Sequence, residues 1–244
     1  MPLSPDAHAA LQSLTGGLVV SCQARPDNPL HGPESMARMA EAAVRGGAVG
    51  IRANGRADIA AIGAAVTVPI IGIEKVADGN GVVTITPTPA TAAGVVASGA
   101  QLVAFDGTLR PRPDGAAVAA IAEAIHRAGA AALADVATLE DGLFAVSAGA
   151  DAVGTTLSGY TADSLHQEEP DFTLLESLVA RCQVPVFAEG RIWTADQALQ
   201  AIELGAAFVV VGTAITNPMA ITERFVQALK TAPSRTHLDR GKSA

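Results

Sequence analysis

Several residue types are scarce in this 244-residue chain, and each scarcity removes a class of function. Cysteine occurs twice, at Cys22 and Cys182, which implies no disulfide framework and suits a reducing compartment. No apolar run reaches the roughly 18 residues a spanning helix needs; the mean hydropathy of +0.33 comes from alanine, not from long aliphatic stretches. Residues 1–10 carry Asp6 and His8 and no basic segment followed by an apolar one, unlike a secretory leader. Basic residues are in the minority: the net charge is −8 and no polybasic patch appears, so neither a nucleic-acid partner nor a membrane surface is expected. The five histidines (His8, His31, His126, His166, His237) form no His-x-His or His-x-x-x-His pair, and a metal site is not expected. There is no G-x-S-x-G elbow and no Walker loop. A cytoplasmic, globular protein that needs no cofactor is the expectation.

What is present is a regular alternation. Short apolar runs recur at 18–20, 48–51, 69–73, 102–105, 130–134, 152–154, 185–188 and 208–211. They are continuous rather than alternating, as in strands covered on both faces of a parallel sheet. Amphipathic stretches such as 34–45, 116–128 and 194–204 lie between them, the last opened by Thr194 with Gln197 as a capping box. Gly-Gly at 46–47 and Gly-Ala at 99–100, 129–130, 149–150 and 205–206 stand just before strands, where glycine ends a helix in a left-handed conformation. With no linker in the series, one domain over 1–244 is expected, its core about 14–230 and 231–244 a polar tail. Eight strands alternating with helices in this length predict a (β/α)8 barrel. A doubly wound open sheet is the alternative, but Gly16-Gly17 precede the first strand instead of following it as a G-x-G-x-x-G would.

A barrel aims the residues at its strand ends into one mouth. Here these are Ser21, Gln23, Arg52, Lys75, Asp106, Asp135, Thr155, Thr156, Glu189, Gly212 and Thr213. Lysine is rare: only Lys75, Lys230 and Lys242 occur against thirteen arginines, and Lys75 alone falls within the barrel. An amine kept where arginine is preferred elsewhere suggests a base that must lose its proton; the plainer reading is a solvated lysine or one paired with Glu74. Glu189 ends the seventh strand, diametric to the third, so the two could flank a ligand for proton transfer; its plainer reading is an ion pair with Arg191 or Arg52. Gly190 and Gly212-Thr213 lie in the two loops where many barrels bind phosphate through backbone amides.

Taken together, the segments 16–24 (GGLVVSCQA), 46–55 (GGAVGIRANG), 69–75 (PIIGIEK), 85–88 (ITPT), 134–142 (ADVATLEDG), 154–161 (GTTLSGYT), 188–192 (AEGRI) and 211–216 (VGTAIT) resemble the N-acetylmannosamine-6-phosphate 2-epimerases. The resemblance spans about 14–229. It implies a single barrel of the ribulose-phosphate-binding type that interconverts N-acetylmannosamine 6-phosphate and N-acetylglucosamine 6-phosphate in sialic-acid catabolism. It assigns catalysis to Lys75 and Glu189, and substrate contacts to Gln23, Arg52 and Asp135. Gly190, Arg191, Gly212 and Thr213 complete the candidate substrate-binding set. Two positions depart from the family: Asn217 stands where arginine is common, and residues 76–81 lack the basic or aromatic residues usual there. A Schiff-base aldolase or lyase acting on a sugar phosphate and a non-catalytic sugar-phosphate-binding barrel are the competing readings. A homodimer is expected to form through the apolar helix around 221–229.

Overall fold

In a computed structural model, residues 3–79, 81–112 and 115–231 are described; the polar tail from 232 onward, with His237 and Lys242, lies outside them. Among the described residues there are ten strands, separated by helices except at β3–β5: β1 Leu18–Cys22, β2 Gly50–Asn54, β3 Ile70–Ile73, β4 Lys75–Ala77, β5 Val83–Ile85, β6 Leu102–Asp106, β7 Ala131–Asp135, β8 Ala152–Gly154, β9 Val186–Glu189 and β10 Phe208–Val211. All but β4 and β5 close into an eight-stranded barrel, every neighbouring pair parallel. The helices are α1 Pro5–Ser13, α2 Pro33–Arg45, α3 Arg56–Ala65, α4 Pro89–Ala97, α5 Val118–Arg127, α6 Leu139–Ser147, α7 Phe172–Arg181, α8 Ala195–Glu203, α9 Thr213–Thr216 and α10 Pro218–Lys230, with a 3-10 turn at Thr155–Leu157. The expected (β/α)8 barrel is present, and no described helix is long and apolar enough to cross a membrane.

Local chemistry explains most of the boundaries. Gly47, Gly99, Gly129, Gly149 and Gly205 all take φ between +90° and +106°, so each expected helix-ending glycine turns the chain into the next strand. Thr194 and Gln197 form the reciprocal capping box, as do Thr88 with Thr91 and Thr138 with Asp141.

Side chains along each strand alternate between two cores. Val103, Phe105, Ala132, Ala134, Val153 and Val209 pack outward against the helices. Leu102, Ala104, Ala131, Leu133, Ala152, Phe187, Phe208 and Val210 fill the interior, with Ala7, Leu11 and Leu14 of the α1 segment beside them. Few aromatics suffice because Phe187 and Phe208 stack at 5.0 Å across small neighbours; a Cβ at Gly154 would lie 2.1 Å from the Phe187 ring. Continuing the interior rows by two residues brings Ser21, Arg52, Asp106, Asp135 and Glu189 to the C-terminal end of the barrel. Cys22 falls on the opposite, helix-facing row and is buried there.

One expectation needs correction. Lys75 is not the end of the third barrel strand: β3 stops at Ile73, and Lys75 opens a separate antiparallel hairpin in which Lys75, Val76 and Ala77 pair with Ile85, Thr84 and Val83. Asp78 closes its turn, accepting the Val82 amide at its side chain and bonding the Val82 carbonyl through its own amide. Asp78-Gly79 between Val-Ala and Val-Val-Thr-Ile was the available sequence signal for this hairpin.

Candidate active site

Arg52 is the hub of the mouth. Projecting inward from β2 and fully buried, it spans the barrel to two carboxylates on strands distant from its own. Its Nη1 and Nη2 donate to Asp135 Oδ1 and Oδ2 at 3.1 and 2.7 Å, a two-pronged pair. Nη1 also donates to Glu189 Oε2 at 2.6 Å. Of the two ion pairs considered for Glu189, Arg52 is therefore the partner. The Thr156 hydroxyl donates to Asp135 at 2.5 Å and lies 3.3 Å from Glu189 Oε2. Thr155 braces the Glu189 backbone from both sides, its hydroxyl donating to the carbonyl at 2.9 Å and accepting the amide at 3.1 Å. Arg52 Nε, buried, has no hydrogen-bond partner among the described residues.

Lys75 reaches the same mouth from the hairpin. Its Nζ donates to Gln23 Oε1 at 2.7 Å, and Gln23 Nε2 donates to Ser21 Oγ at 2.7 Å. The ammonium can only donate, so it takes the Gln23 oxygen and leaves the amide nitrogen to Ser21. Glu74 is not the lysine's partner; it pairs with Arg56 at 2.9 Å. The Lys75 residue is open to solvent, and its ammonium is held at Gln23. Burial, then the Arg52 charge, lower its pKa, against the opposing pull of Glu189 and Asp135, and Arg25 adds to the lowering. Glu189 moves the other way, pushed up to about 7 because burial and the neighbouring Asp135 outweigh Arg52, Lys75 and the Thr156 hydrogen bond. Arg52 itself stays a cation: burial works against its charge, and Asp135 and Glu189 overcome it. A raised acid and a lowered amine have converging proton affinities, the arrangement that proton transfer requires.

The remaining candidates divide. Gly190, with φ +113°, and Arg191, with φ +58°, make a left-handed turn directly after Glu189. The Arg191 guanidinium donates from Nε to the Glu169 carbonyl and from Nη1 to the Ser158 carbonyl, and it lies 5.4 Å over the Tyr160 ring. Gly212 and Thr213 start α9, where the first N–H groups have no intrahelical acceptor. Asn217 is engaged elsewhere, since its Oδ1 caps α10 by accepting the Ala220 amide and also accepts from Asn28 Nδ2. Asp106 is turned away from Arg52 and accepts from Thr108 and Arg110. Burial drives the Cys22 thiol up to about 12 and raises that of Cys182, leaving neither as a nucleophile. Sequence reasoning missed Thr156 as the bridge between the two carboxylates, and Arg25, whose charge bears on Lys75.

A closed parallel barrel whose C-terminal mouth gathers an amine, a guanidinium and two carboxylates defines a (β/α)8-barrel enzyme equipped for proton transfer. The chain belongs to the N-acetylmannosamine-6-phosphate epimerase family: residues 36–231 match the family described as "Putative N-acetylmannosamine-6-phosphate epimerase". A Cutibacterium acnes protein described as "Putative N-acetylmannosamine-6-phosphate 2-epimerase" is 49% identical over 223 residues, covering 90% of this chain and 96% of the relative. A Caldanaerobacter subterraneus protein of the same description is 46% identical over 222 residues, covering 90% and 94%. The solved structure of the N-acetylmannosamine-6-phosphate 2-epimerase from Clostridium perfringens is similar at a TM-score of 0.86 and 44% identity, covering 89% of this chain and 95% of that one. Thiamine phosphate pyrophosphorylase from Pyrococcus furiosus shares the fold alone, at a TM-score of 0.58 and 19% identity. The chain is thus an isomerase of the carbohydrate-epimerase kind, and the aldolase and non-catalytic readings are not favoured.

Proposed function

We propose that this enzyme interconverts N-acetylmannosamine 6-phosphate and N-acetylglucosamine 6-phosphate by removing the C2 proton and returning one to the opposite face. The observation that carries the mechanism is the convergence of Lys75 and Glu189 on Arg52 and Asp135, with the amine's pKa lowered and the acid's raised. The closed sugar has no carbonyl beside C2, so the ring opens first, and Glu189 handles the hydroxyl proton of that step. Neutral Lys75 then takes the C2 proton, and the electron pair moves onto the C1 oxygen to give an enolate. Arg52, oriented by Asp135, supplies the positive field for that oxygen, an effect worth about 3–4 kcal/mol in comparable sites. Reprotonation at C2 on the other face completes the exchange. Gln23 orients the lysine and the sugar, and the backbones of Gly190, Arg191, Gly212 and Thr213 receive the phosphate. No cofactor enters the scheme.

The same reading puts the enzyme in the cytoplasm, in amino-sugar catabolism, and as a homodimer. Supporting the dimer, α10 has no buried side chain and leaves Phe225 and Leu229 exposed at 68% and 74%. Sedimentation of Phe225→Glu as a smaller species than the wild type supports that assembly; a wild-type monomer refutes it. The chemistry is tested by NMR of the purified protein with N-acetylmannosamine 6-phosphate in D2O. Solvent deuterium at C2 of the product is expected, and a partial-conversion time course sampling both epimers identifies any return of the original proton. Product and recovered substrate both free of label throughout would refute proton exchange with solvent.

A further inference from the structure

The hairpin that carries Lys75 is not part of the barrel, so something other than the barrel ladder must fix the amine's position. Three attachments do so. At its base, the Lys75 amide donates to Asn54 Oδ1 at 2.9 Å. Beside it, Thr86 makes a two-sided clasp. Its amide donates to the Glu74 carbonyl, its hydroxyl accepts the Glu74 amide at 3.1 Å, and the same hydroxyl donates to Ala104 O of β6 at 2.7 Å. Thr86 is completely buried and holds φ +46°, a left-handed backbone that a β-branched residue rarely adopts. Such strain persists only where the surroundings over-determine it and is commonest near functional sites.

The third attachment lies further up the same β5 segment, at its first residue. Arg110 Nη2 donates to the Val83 carbonyl at 3.0 Å, while its Nε and Nη2 donate to Asp106 Oδ2. Asp106, at the end of β6, is fully buried and is itself held by the Thr108 amide and hydroxyl at 3.0 and 2.7 Å. A buried carboxylate bonded on both oxygens is a rigid anchor, and a guanidinium fork transmits that rigidity to whatever it binds. Thr86 and Arg110 thus tie both ends of β5 to β6, and Thr86 also ties Glu74, at the base of β4, to the same anchor.

We infer that Thr86 and the Asp106–Arg110 pair are positioning residues for Lys75, latching its hairpin to the fourth barrel strand so that the amine stays inside the mouth. The inference rests on the proposed role of Lys75 as base. Among the described residues, neither Thr86 nor Arg110 reaches the Arg52–Glu189 cluster by a hydrogen bond; each acts through the hairpin. Loosening the latch moves the amine outward, away from Arg52 of β2 and Arg25 of the β1–α2 loop. It also moves the amine from Glu189 of β9 and Asp135 of β7, and leaves Asp78 and the Glu74–Arg56 pair as its neighbours on and beside the hairpin. Burial is the largest influence on this amine, so a re-solvated lysine regains its proton and needs a higher pH to act as base.

The test compares kcat and KM across pH for full-length Thr86→Val, Thr86→Ser, Arg110→Met, Arg110→Lys and Lys75→Arg, with thermal melts to establish folding. Thr86→Val and Arg110→Met are expected to lower kcat about tenfold to hundredfold, the scale of a misplaced reacting group, with KM within about threefold. The acid limb of their kcat profiles is expected to shift to higher pH. Thr86→Ser, which keeps the hydroxyl, should recover most of the loss, and Arg110→Lys, which keeps the charge without the planar fork, only part of it. Wild-type kcat, or a fall in kcat with an unmoved limb, in the folded variants overturns the latch. If Thr86→Val does not fold, Arg110→Met at the partly exposed end decides alone. Turnover retained by Lys75→Arg would refute the base assignment instead, so the two failures are distinguishable.

Discussion

Glu189→Gln is expected to abolish most turnover and, at the same pH, to stabilise the fold. The carboxyl, ordinarily at 4.5, is pushed up to about 7 by burial and by Asp135. A folded pKa above the unfolded one means that the native state favours the protonated acid. The associated stability is whole below about pH 4.5 and is lost as pH rises through about 7. The gap of roughly 2.5 units, at about 1.36 kcal/mol each, sets an upper bound of about 3 kcal/mol on the cost of ionisation. Residual exposure of the side chain, 14%, and its sharing of Arg52 with Asp135 reduce this to about 1–3 kcal/mol. Glutamine has nearly the same shape and does not ionise, so the cost vanishes in the variant. The wild type and Glu189→Gln should therefore have similar stability at pH 4.5, diverge between pH 4.5 and 7, and stay apart above it. Thermal melts read this as a gain of about 2–4 °C per kcal/mol for a chain of this size; urea denaturation gives the free energies directly. Turnover should fall about 100-fold or more, the scale of a lost acid–base group. A variant less stable than the wild type at pH 8, or an offset that does not change with pH, would show that Arg52 holds Glu189 ionised and would refute the reasoning.

Other outcomes are expected from the same geometry. Lys75→Arg keeps the charge and removes the base, so turnover should drop below about a hundredth of wild type; more than a tenth remaining in a steady-state assay argues against Lys75. Calorimetry should show the unphosphorylated sugar binding about 100-fold more weakly than the 6-phosphate, the worth of two amide bonds to a charged oxygen; equal affinities would remove the phosphate role of Gly190 and Gly212. Gly154→Ala forces a methyl against the fully buried Phe187 ring and should cost about 1–3 kcal/mol in chemical denaturation, with no loss indicating that the Phe187–Phe208 stack shifts freely. Asn217→Arg removes the α10 cap and its bond from Asn28, and a destabilisation of about 1 kcal/mol is expected; unchanged melting would show that the cap is dispensable.

The barrel was legible in the sequence because its determinants are local. Continuous apolar runs between amphipathic stretches mark strands covered on both faces. Glycines at 47, 99, 129, 149 and 205 occupy backbone conformations that disfavour other residues, and Thr194 with Gln197 caps a helix within four residues. Gln23, Arg52, Asp135 and Glu189 could likewise be placed in one mouth, because barrel strands deliver their ends to one rim. Tertiary structure alone decided how those residues meet. Arg52 finds Asp135 and Glu189, 83 and 137 positions away, only once the sheet closes. The opposed pKa shifts of Lys75 and Glu189 arise from that burial and shared charge, neither of which belongs to any short segment. Lys75 looked like a strand end because the run at 69–73 leads straight to it; Thr86, eleven residues on, turns it into a hairpin by bonding the Glu74 backbone and β6 together. Asn217 stood out in the sequence only as a departure from the family's arginine, yet its side chain caps α10. Periodicity and capping act over a few residues and can be read along the chain, whereas desolvation, charge sharing and the latch depend on distances that closure of the barrel creates.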